Sequence, residues 1–368
     1  MKIGILGGGQ LGRMFIQNAL KYDDEFYTLD PSESASCANI SHFTKGDFND
    51  YQTVLDFGID KDVVSIEIEH VNVEALFHLE KEGVKVIPTA GIIKIIQQKI
   101  LQKEFYKINQ IPNPDFQVIQ NKSELNFPFP FVQKLNTGGY DGKGVQIIKT
   151  ENDLEKMWNE PSVIERLVDI DKELSVILAI NESGEFEIFP VTEMVADPQL
   201  NLLDFNICPA EIPKDVQFEI SVIVEKFKIA ANSPGLFAIE LFLDKNGKIW
   251  VNETAPRLHN SGHQTQEGNA NSQFEQMYRV LKNLPLADTE AVGFSGMLNL
   301  VGAENYSGEV KYEGLNKVLK LPKTYVHLYG KKDTKPGRKM GHINVLANSK
   351  EELMEKLIHI KSLVKVIS

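Results

Sequence analysis

The opening thirty residues constrain the fold most strongly. A short apolar run, Lys2 to Leu6, is followed by three consecutive glycines beginning at Gly7, and apolar residues then recur at helical spacing from Leu11 to Tyr22. This order predicts a buried strand, a tight turn and an amphipathic helix. A second apolar run, Phe26 to Leu29, follows the helix. Two strands joined through a helix predict a parallel sheet with right-handed crossovers.

The glycine turn itself has two interpretations. The segment Gly7 to Gly12 reads G-x-G-x-x-G, and Asp30 ends the next strand. Glycines at a helix N-terminus let a phosphate approach free backbone N–H groups, and an acid at this distance suits a ribose hydroxyl. The motif therefore predicts either a nicotinamide or flavin site or a tight turn in a doubly wound domain with another ligand. Both interpretations stay open on this loop alone.

Later segments predict two further units. The run Val63 to Glu69 and the run Lys85 to Pro88 read as strands, and Ala90 to Asn109 reads as one helical stretch. Beyond Pro114 the pattern indicates antiparallel strands. The predicted hairpins pair Phe131–Leu135 with Val145–Lys149 and Leu236–Leu243 with Lys248–Asn252, and further strands lie within Glu173–Val195. A terminal helix is predicted over 350–363. We expect α/β and α+β architecture: a Rossmann-like parallel-sheet domain with its connecting helix at 1–110, a small β-rich lid at 111–178 and a larger α+β domain at 179–368.

Composition excludes several classes of protein. The 368 residues carry 51 acids against 39 bases, a net charge of −12, which disfavours nucleic acid as a partner. The two cysteines, Cys37 and Cys208, do not suggest a disulfide framework, and neither a signal peptide nor a membrane-spanning run is visible. We expect a cytoplasmic protein with small-molecule substrates.

A second glycine-rich loop lies between the two strands of the first predicted hairpin. Residues 137–144 carry four glycines in eight positions, flanked by Lys134 and by Lys143 within the loop, without the G-K-[ST] of a Walker loop. Backbone amides on a glycine-rich hairpin suit a lid that closes over a triphosphate. An ordinary long hairpin is the alternative.

Two glutamates interrupt apolar strands. Glu240 and Glu253 lie on the two strands that flank the Asn246-Gly247 turn. Neighbouring carboxylates repel each other unless a cation lies between them, and with Asn252 they offer the hard oxygen ligands that Mg²⁺ prefers. The alternative is a pair of solvated acids.

Two polar segments complete the candidates. His259 and His263 have the spacing of a zinc pair but lie in a segment that is poor helix and lacks H-E-x-x-H, which favours a loop that binds an anion. The run 329–339 concentrates five cations around Pro336-Gly337. It reads either as a solvated turn or as a site for a phosphomonoester.

Taken in order, these motifs resemble the ATP-grasp superfamily, and within it the synthetases that carboxylate aminoimidazole ribonucleotide in purine biosynthesis. The resemblance rests on four blocks, which are 7–14, 138–144, 252–263 and 336–342. It implies an ATP-grasp fold, a homodimer, and Mg²⁺-dependent phosphorylation of bicarbonate by ATP. Carboxyphosphate, or CO₂ released from it, would then carboxylate the exocyclic amine.

The resemblance also implies roles for individual residues. Those that would contact ATP are Lys99, Lys134, Gly139, Tyr140, Asp141, Gly142, Lys143, Gly144, Val145, Glu165, Arg166, Leu167, Val168, Glu173, Asn252 and Glu253, with 165–168 as the adenine hinge and Glu173 on the ribose. The metal ligands would be Glu240 and Glu253. Those that would surround bicarbonate and the reacting amine are Tyr140, Asp141, Arg257, His259 and Asn260. Those that would bind the ribonucleotide are Gln10, Lys331 and Arg338. Glu69 ends the third predicted strand and is expected to face the same crevice and bind this substrate, with a solvated strand end as the alternative.

One segment departs from the family pattern, and three alternatives stay open. Family members commonly carry Glu-Asn-x-His where this chain has Glu193-Met194-Val195-Ala196, so no site residue is assigned there. The alternatives are a Rossmann oxidoreductase, an ATP-grasp ligase or transformylase with another substrate, and a non-catalytic nucleotide-binding module. Binding of NAD(H) or NADP(H) would distinguish the first of them.

Overall fold

The computed structural model describes residues 1–138, 144–197 and 202–368. Within these residues the strands form a five-stranded, a four-stranded and a nine-stranded sheet, with two short strand pairs beside them. A parallel sheet at the N-terminus followed by antiparallel sheets agrees with the α/β and α+β architecture that the sequence pattern predicts. The division at 1–110, 111–178 and 179–368 stays a prediction.

The first sheet is parallel throughout, in the order β3-β2-β1-β4-β5. Its strands are β1 (Lys2–Leu6), β2 (Glu25–Asp30), β3 (His42–Lys45), β4 (Val63–Ile66) and β5 (Lys85–Val86). The helices are α1 (Gln10–Ala19), α2 (Tyr51–Gly58), α3 (Val73–Lys81), α4 (Ala90–Gln97) and α5 (Lys99–Ile108). Buried apolar side chains from both faces of the sheet form the core, as a parallel sheet covered by helices requires.

Three details of this part differ from the sequence predictions. Strand β3 is a short, largely exposed edge strand that lacks an apolar run, so periodicity does not reveal it. Strand β4 ends at Ile66 rather than at Glu69. The predicted single helix 90–109 is two helices, because Gln98 is extended and the first turn of α5 is capped by Asn136: the Lys99 and Ile100 N–H groups donate to its backbone and side-chain oxygens, each at 3.0 Å.

The second sheet is antiparallel, in the order β6-β9-β7-β8. Its strands are β6 (Phe116–Ile119), β7 (Phe131–Leu135), β8 (Val145–Ile148) and β9 (Ser162–Arg166). The predicted hairpin is β7 with β8, and its connection includes residues 139–143, which lie outside the described part of the chain.

The third sheet follows the order β15-β14-β10-β12-β13-β16-β21-β19, with β11 added to β10. Its strands are β10 (Ile170–Ile180), β11 (Phe186–Ile188), β12 (Thr192–Asp197), β13 (Leu202–Ile207), β14 (Gly235–Asp244), β15 (Ile249–Ala255), β16 (Phe294–Val301), β19 (Thr324–Leu328) and β21 (Lys339–Ala347). The short strand pairs are β17 (Gly308–Glu309) with β20 (Asp333–Thr334), and β18 (Lys311–Glu313) with β22 (Lys365–Ile367). The helices are α6 (Lys214–Ala231), α7 (Thr265–Gly268), α8 (Gln273–Leu281), α9 (Leu315–Val318) and α10 (Lys350–Leu363).

Both faces of the strands at the β15 end of this sheet are covered. Val176 and Phe237 belong to the apolar cluster that includes α6, whereas Ile177 and Leu236 belong to the cluster that includes α8 and α1. The continuous apolar character of β10 and β14 follows from this double burial. A polar side chain within these strands therefore needs a partner.

None of the helices in the described part of the chain has the length and apolar character that crossing a bilayer requires.

Candidate active site

A cleft of about 1100 Å³ lies where the three sheets meet. The first glycine turn, the β7–β8 hairpin and the β14–β15 pair all contribute to its lining. The cleft brings together residues that are more than 200 positions apart in sequence, such as Gln10 and His259.

The strand pair β14–β15 places two carboxylates directly opposite each other. Glu240 pairs with Glu253 in the antiparallel register, whereas Leu241 pairs with Val251, so Asn252 is the extra residue of a β-bulge. Directly paired residues project to the same face of a sheet, and a bulge redirects side chains locally. The Asn252 amide donates to Glu240 Oε2 at 3.2 Å. Like charges in this arrangement destabilise a sheet unless cations compensate them.

Lys99 compensates Glu253. The break between α4 and α5 puts Lys99 in the first turn of α5, where its Nζ lies 2.5 Å from Glu253 Oε2. The charge of Lys99 lowers the pKa of Glu253 to about 2, against the opposing effect of burial, and Lys134 and His259 add to this lowering. Glu253 is therefore ionised throughout the physiological range.

A second cluster of charges lies beside the first. Lys134 of β7 contacts Asn252 Oδ1 at 2.8 Å and Glu165 Oε2 at 2.9 Å. The other Glu165 oxygen lies 3.1 Å from Nζ of Lys103. Burial opposes ionisation of Glu165, but the two lysines outweigh it and lower its pKa. Burial lowers the pKa of Lys103 to about 8.

The segment predicted as an adenine hinge lines the same cleft. Glu165, Arg166, Leu167 and Val168 all contribute to the wall, as do Val145 and Glu173. The Glu165 carboxylate is engaged by lysines and the Arg166 guanidinium stacks over Trp250 at 4.6 Å, so the backbone of this segment is what remains for a base. Burial and the charge of Glu240 raise the pKa of Glu173.

The loop after β15 supplies the other polar residues of the cleft. His259 Nε2 lies 3.3 Å from Glu240 Oε1, and its Nδ1 lies 2.9 Å from the Ser261 hydroxyl. The guanidinium of Arg257 contacts Glu69 Oε1 at 2.6 Å. Asn260 lines the cleft, and its buried Oδ1 has no hydrogen-bond partner among the described residues. Arg257, His259 and Asn260, with Glu69, thus form one wall beside the paired carboxylates.

The zinc interpretation of His259 and His263 receives no support. His263 is fully buried and stacks on His342, with 4.5 Å between ring centroids, and burial lowers its pKa well below the ordinary value. In the described part of the chain, no three His, Cys, Asp or Glu side chains are grouped as a metal site. The two carboxylates of Glu240 and Glu253 fit a hard divalent cation that takes further oxygens from a substrate.

The first glycine turn is already occupied by acids of this chain. Gly8 N–H donates to Asp30 Oδ2 at 2.8 Å, and Leu11 N–H donates to Glu67 Oε1 at 3.1 Å. A Cβ on Gly9 would overlap the Glu67 carboxylate. Burial raises the pKa of Glu67 to about 7, although Arg257 opposes this. The helix N-terminus where a dinucleotide's pyrophosphate would lie therefore holds a carboxyl group instead.

The basic run reaches the cleft through Gln10. Lys331 Nζ donates to Gln10 Oε1 at 3.0 Å and to the Lys339 carbonyl at 2.7 Å, and both Gln10 and Lys339 line the cleft. Arg338 donates to the Asp333 carbonyl at 2.7 Å, which holds the turn in shape. The run is thus next to the first glycine turn rather than at a remote surface.

The structure places most of the predicted site residues around one cleft. Gly139, Tyr140, Asp141, Gly142 and Lys143 lie outside the described residues, and Gly144 follows them with a positive φ of 73°. Sequence reasoning missed Lys103, Glu67 and Lys339. The first lies one helical turn after Lys99, which is a signal that could have been noticed. Glu67 lies two residues before Glu69, and Lys339 directly follows Arg338.

Three family models match the chain in order. They describe a ribonucleotide synthetase preATP-grasp domain at residues 1–97, an ATP-grasp domain at 104–274, and a phosphoribosylaminoimidazole carboxylase C-terminal domain at 295–356.

The chain matches synthases of similar length and longer carboxylases. The N5-carboxyaminoimidazole ribonucleotide synthase of Saccharolobus solfataricus is 33% identical over 99% of this chain and 96% of its own length. The phosphoribosylaminoimidazole carboxylase of Ogataea methanolica is 32% identical over 98% of this chain. The chain spans 69% of that protein's length and 66% of its Candida glabrata counterpart.

Solved structures agree with these relatives. The N5-carboxyaminoimidazole ribonucleotide synthetase of Thermotoga maritima is 40% identical, covers 100% of this chain and 99% of its own, and superposes with a TM-score of 0.92. The enzyme of Aspergillus clavatus, solved with ADP and 5-aminoimidazole ribonucleotide, is 30% identical over 98% of both chains with a TM-score of 0.87.

The pairing of Lys99 with Glu253 gives a testable pKa. In Lys99→Met the pKa of Glu253 should rise from about 2 towards its ordinary 4.5, because the largest cause of the lowering is removed. A ¹³C NMR titration of carboxyl-labelled glutamate measures it, with the resonance assigned by its absence in Glu253→Gln. Lys94→Met is the control: Lys94 lies on α4 and pairs with Glu74, so its removal should leave the pKa of Glu253 unchanged. A Glu253 pKa that stays near 2 in Lys99→Met would contradict the assigned pairing.

Proposed function

The chain belongs to the N5-carboxyaminoimidazole ribonucleotide synthase family of ATP-grasp proteins, and we propose that it carboxylates 5-aminoimidazole ribonucleotide with ATP and bicarbonate. The products are N5-carboxyaminoimidazole ribonucleotide, ADP and phosphate, and the reaction belongs to purine biosynthesis. The observation that carries the proposal is the single cleft. One part of the cleft holds lysines and carboxylates suited to nucleotide phosphates, such as Lys99 with Glu253. The other part lies beside the first glycine turn and holds Arg257 with Glu69.

The first half of the reaction needs a nucleotide held at the β14–β15 pair. Lys99 and Lys134 lie where they can contact phosphate oxygens, with Glu240 and Glu253 beside them. We propose that these two carboxylates hold Mg²⁺, which when bound neutralises the charge that develops during phosphoryl transfer. The backbone of 165–168 would receive the adenine and Glu173 the ribose hydroxyls.

The proposed reaction has two steps, phosphorylation of bicarbonate and carboxylation of the amine. A bicarbonate oxygen attacks the γ-phosphorus of ATP, the bond to the β-phosphate oxygen breaks, and ADP leaves with that electron pair. The exocyclic amine then attacks one of two carbon centres. In carboxyphosphate it attacks the carboxyl carbon, whose C–O bond to the phosphate oxygen breaks so that phosphate leaves; otherwise it attacks CO₂ that carboxyphosphate has already released together with phosphate. Either route forms the new N–C bond, and the amine proton passes to phosphate or to water. Catalysis in such a site depends mostly on positioning and charge compensation.

The second half uses the wall formed by the loop after β15. Arg257 is held by Glu69, and His259 is held between Glu240 and Ser261, so both side chains are oriented before substrate arrives. We propose that they and Asn260 surround bicarbonate and the amine, together with Tyr140 and Asp141 of the glycine-rich loop. Gln10, Lys331 and Arg338 would bind the ribonucleotide phosphate, with Glu69 near its ribose.

The oxidoreductase alternative is disfavoured by the first glycine turn. Asp30, which would have to bind a ribose hydroxyl, accepts from Gly8 N–H, and Glu67 accepts from Leu11 N–H. A pyrophosphate placed there would meet the Glu67 carboxyl group rather than free N–H groups.

The decisive experiment measures ADP release with ATP and Mg²⁺ while bicarbonate and aminoimidazole ribonucleotide are each added or omitted. The proposal predicts full turnover only when both are present, together with loss of the free amine. Turnover that ignores bicarbonate, or that requires another amine, would favour an ATP-grasp ligase with a different substrate.

Two finer properties belong to the same proposal. We propose a cytoplasmic enzyme, because ATP is its substrate and both Cys37 and Cys208 are free and buried. The homodimer that the resemblance implies stays a prediction.

The metal assignment predicts a large effect of one amide substitution. Glu253→Gln should lower kcat by roughly a hundredfold or more, because phosphoryl transfer loses part of its charge compensation. Steady-state ADP release at saturating Mg²⁺ measures it, and Glu225→Gln on the exposed face of α6 is the control. Turnover close to that of the unmodified protein would remove Glu253 from the metal site.

The basic run predicts a selective effect on one substrate. Arg338→Ala should raise KM for aminoimidazole ribonucleotide by roughly ten- to a hundredfold, which corresponds to the ~1.5–3 kcal/mol of a charge-assisted hydrogen bond. KM for ATP should change little. Lys331→Ala should act in the same direction but more weakly, because an ammonium group lacks the bidentate fork.

Lys335→Ala, an exposed position of the same run, is the matched control for both variants. If Arg338→Ala raised KM for ATP instead, the two ligands would have been assigned to the wrong ends of the cleft. If both Arg338→Ala and Lys331→Ala matched the control, the run would be a solvated turn.

A further inference from the structure

Lys103 is a buried cation that none of the assigned roles includes. It lies on α5, one turn after Lys99, and only 1% of it is exposed. Its Nζ lies 3.1 Å from Glu165 Oε1 and donates to the carbonyl oxygens of Asn252 at 2.8 Å and Val251 at 3.4 Å. Lys103 is absent from the described lining of the cleft, whereas Lys99 and Lys134 are present in it. It therefore acts through its neighbours rather than on a ligand.

The carboxylate of Glu165 is shared between two lysines. Lys103 approaches one oxygen and Lys134 the other, and Glu165 itself is only 2% exposed. The three side chains together carry one net positive charge when all are ionised. Lys134 is the member that also reaches Asn252 beside the paired carboxylates. The net positive charge of the three side chains therefore faces the cleft through Lys134.

Without Lys103 this balance would be lost. Glu165 and Lys134 would form a one-to-one pair with no net charge, and attraction for a phosphate would fall accordingly. If Lys134 turned to a phosphate instead, it would leave Glu165 buried without a counter-charge, which is strongly unfavourable. Either outcome weakens binding of an anionic ligand while leaving an uncharged one unaffected.

We propose that Lys103 is a positioning residue that neutralises Glu165 from behind, so that Lys134 presents its positive charge to nucleotide phosphates. The inference rests on the proposed function, because it takes Lys134 as a phosphate-binding residue. The hydrogen bonds to the Val251 and Asn252 carbonyls serve the same end, since they fix the strand at the bulge from which Asn252 and Glu253 project.

A purely structural ion pair predicts different behaviour. Replacing one member of a buried pair destabilises the fold, and it would affect all ligands of the cleft alike. If Lys103 instead serves to present the charge of Lys134, its loss should weaken binding of charged ligands and leave binding of uncharged ligands unchanged. Removing both Lys103 and Glu165 should restore binding of the charged ligands. These two signatures distinguish the roles.

The test measures dissociation constants in four proteins: the unmodified chain, Lys103→Met, the double variant Lys103→Met/Glu165→Gln, and Lys107→Met. Lys107 is exposed on the same helix one turn later, and it serves as the matched control. The ligands are Mg²⁺ with the non-hydrolysable imido analogue of ATP, by calorimetry, and adenosine, by ligand-observed NMR.

The proposal expects Lys103→Met to weaken binding of the ATP analogue at least tenfold and binding of adenosine less than twofold. The double variant should recover to within about threefold of the unmodified protein, and the control should be unchanged. Equal weakening for both ligands, or no weakening at all, would overturn the proposal.

The outcomes also separate this inference from the proposed function. If the unmodified chain failed to bind the ATP analogue, the proposed function would fail. If it bound normally and Lys103→Met bound equally well, only the role of Lys103 would fail. Should Lys103→Met not fold, the double variant decides: binding within threefold of the unmodified protein supports the charge balance, and binding weakened tenfold or more overturns it.

Discussion

The opposition of Glu240 and Glu253 on neighbouring strands is the constraint on which the rest of the cleft depends. Two like charges in direct register destabilise a sheet, so the surrounding elements must supply cations. The interruption between α4 and α5 does so by placing Lys99 at a helix start, and β7 does so by directing Lys134 to Asn252. Lys99 and Lys134 thereby compensate the carboxylate charge from within the chain.

The first glycine turn shows how a motif can be correct in structure and misleading in function. The strand, the turn and helix α1 form as G-x-G-x-x-G predicts. Asp30 and Glu67, however, satisfy the backbone N–H groups that would otherwise bind a pyrophosphate. Sequence alone leaves this open because Glu67 lies almost sixty residues away and reaches the turn only through the adjacency of β1 and β4.

Much of the fold follows from periodicity, whereas the cleft follows only in part. The parallel sheet, the β7–β8 hairpin, the β14–β15 pair and helix 350–363 were predictable because each combines an apolar pattern with a turn or capping signal. The missed strand β3 is exposed and short, and the break at Gln98 depends on Asn136, a contact between distant segments. The spacing of Lys103 one turn after Lys99 is visible in the sequence, but its role is not, because its partners Glu165 and Asn252 lie on strands of two different sheets.

In the proposed reaction, bicarbonate attacks the γ-phosphate of ATP within the cleft. The most direct measurement uses ¹⁸O-labelled bicarbonate with ATP, Mg²⁺ and aminoimidazole ribonucleotide, followed at early times by the ³¹P NMR isotope shift of the released phosphate. Because the attacking oxygen stays on phosphorus when the C–O bond of carboxyphosphate breaks, each phosphate formed should carry one ¹⁸O atom. Phosphate without ¹⁸O, formed while the ribonucleotide is carboxylated, would contradict it.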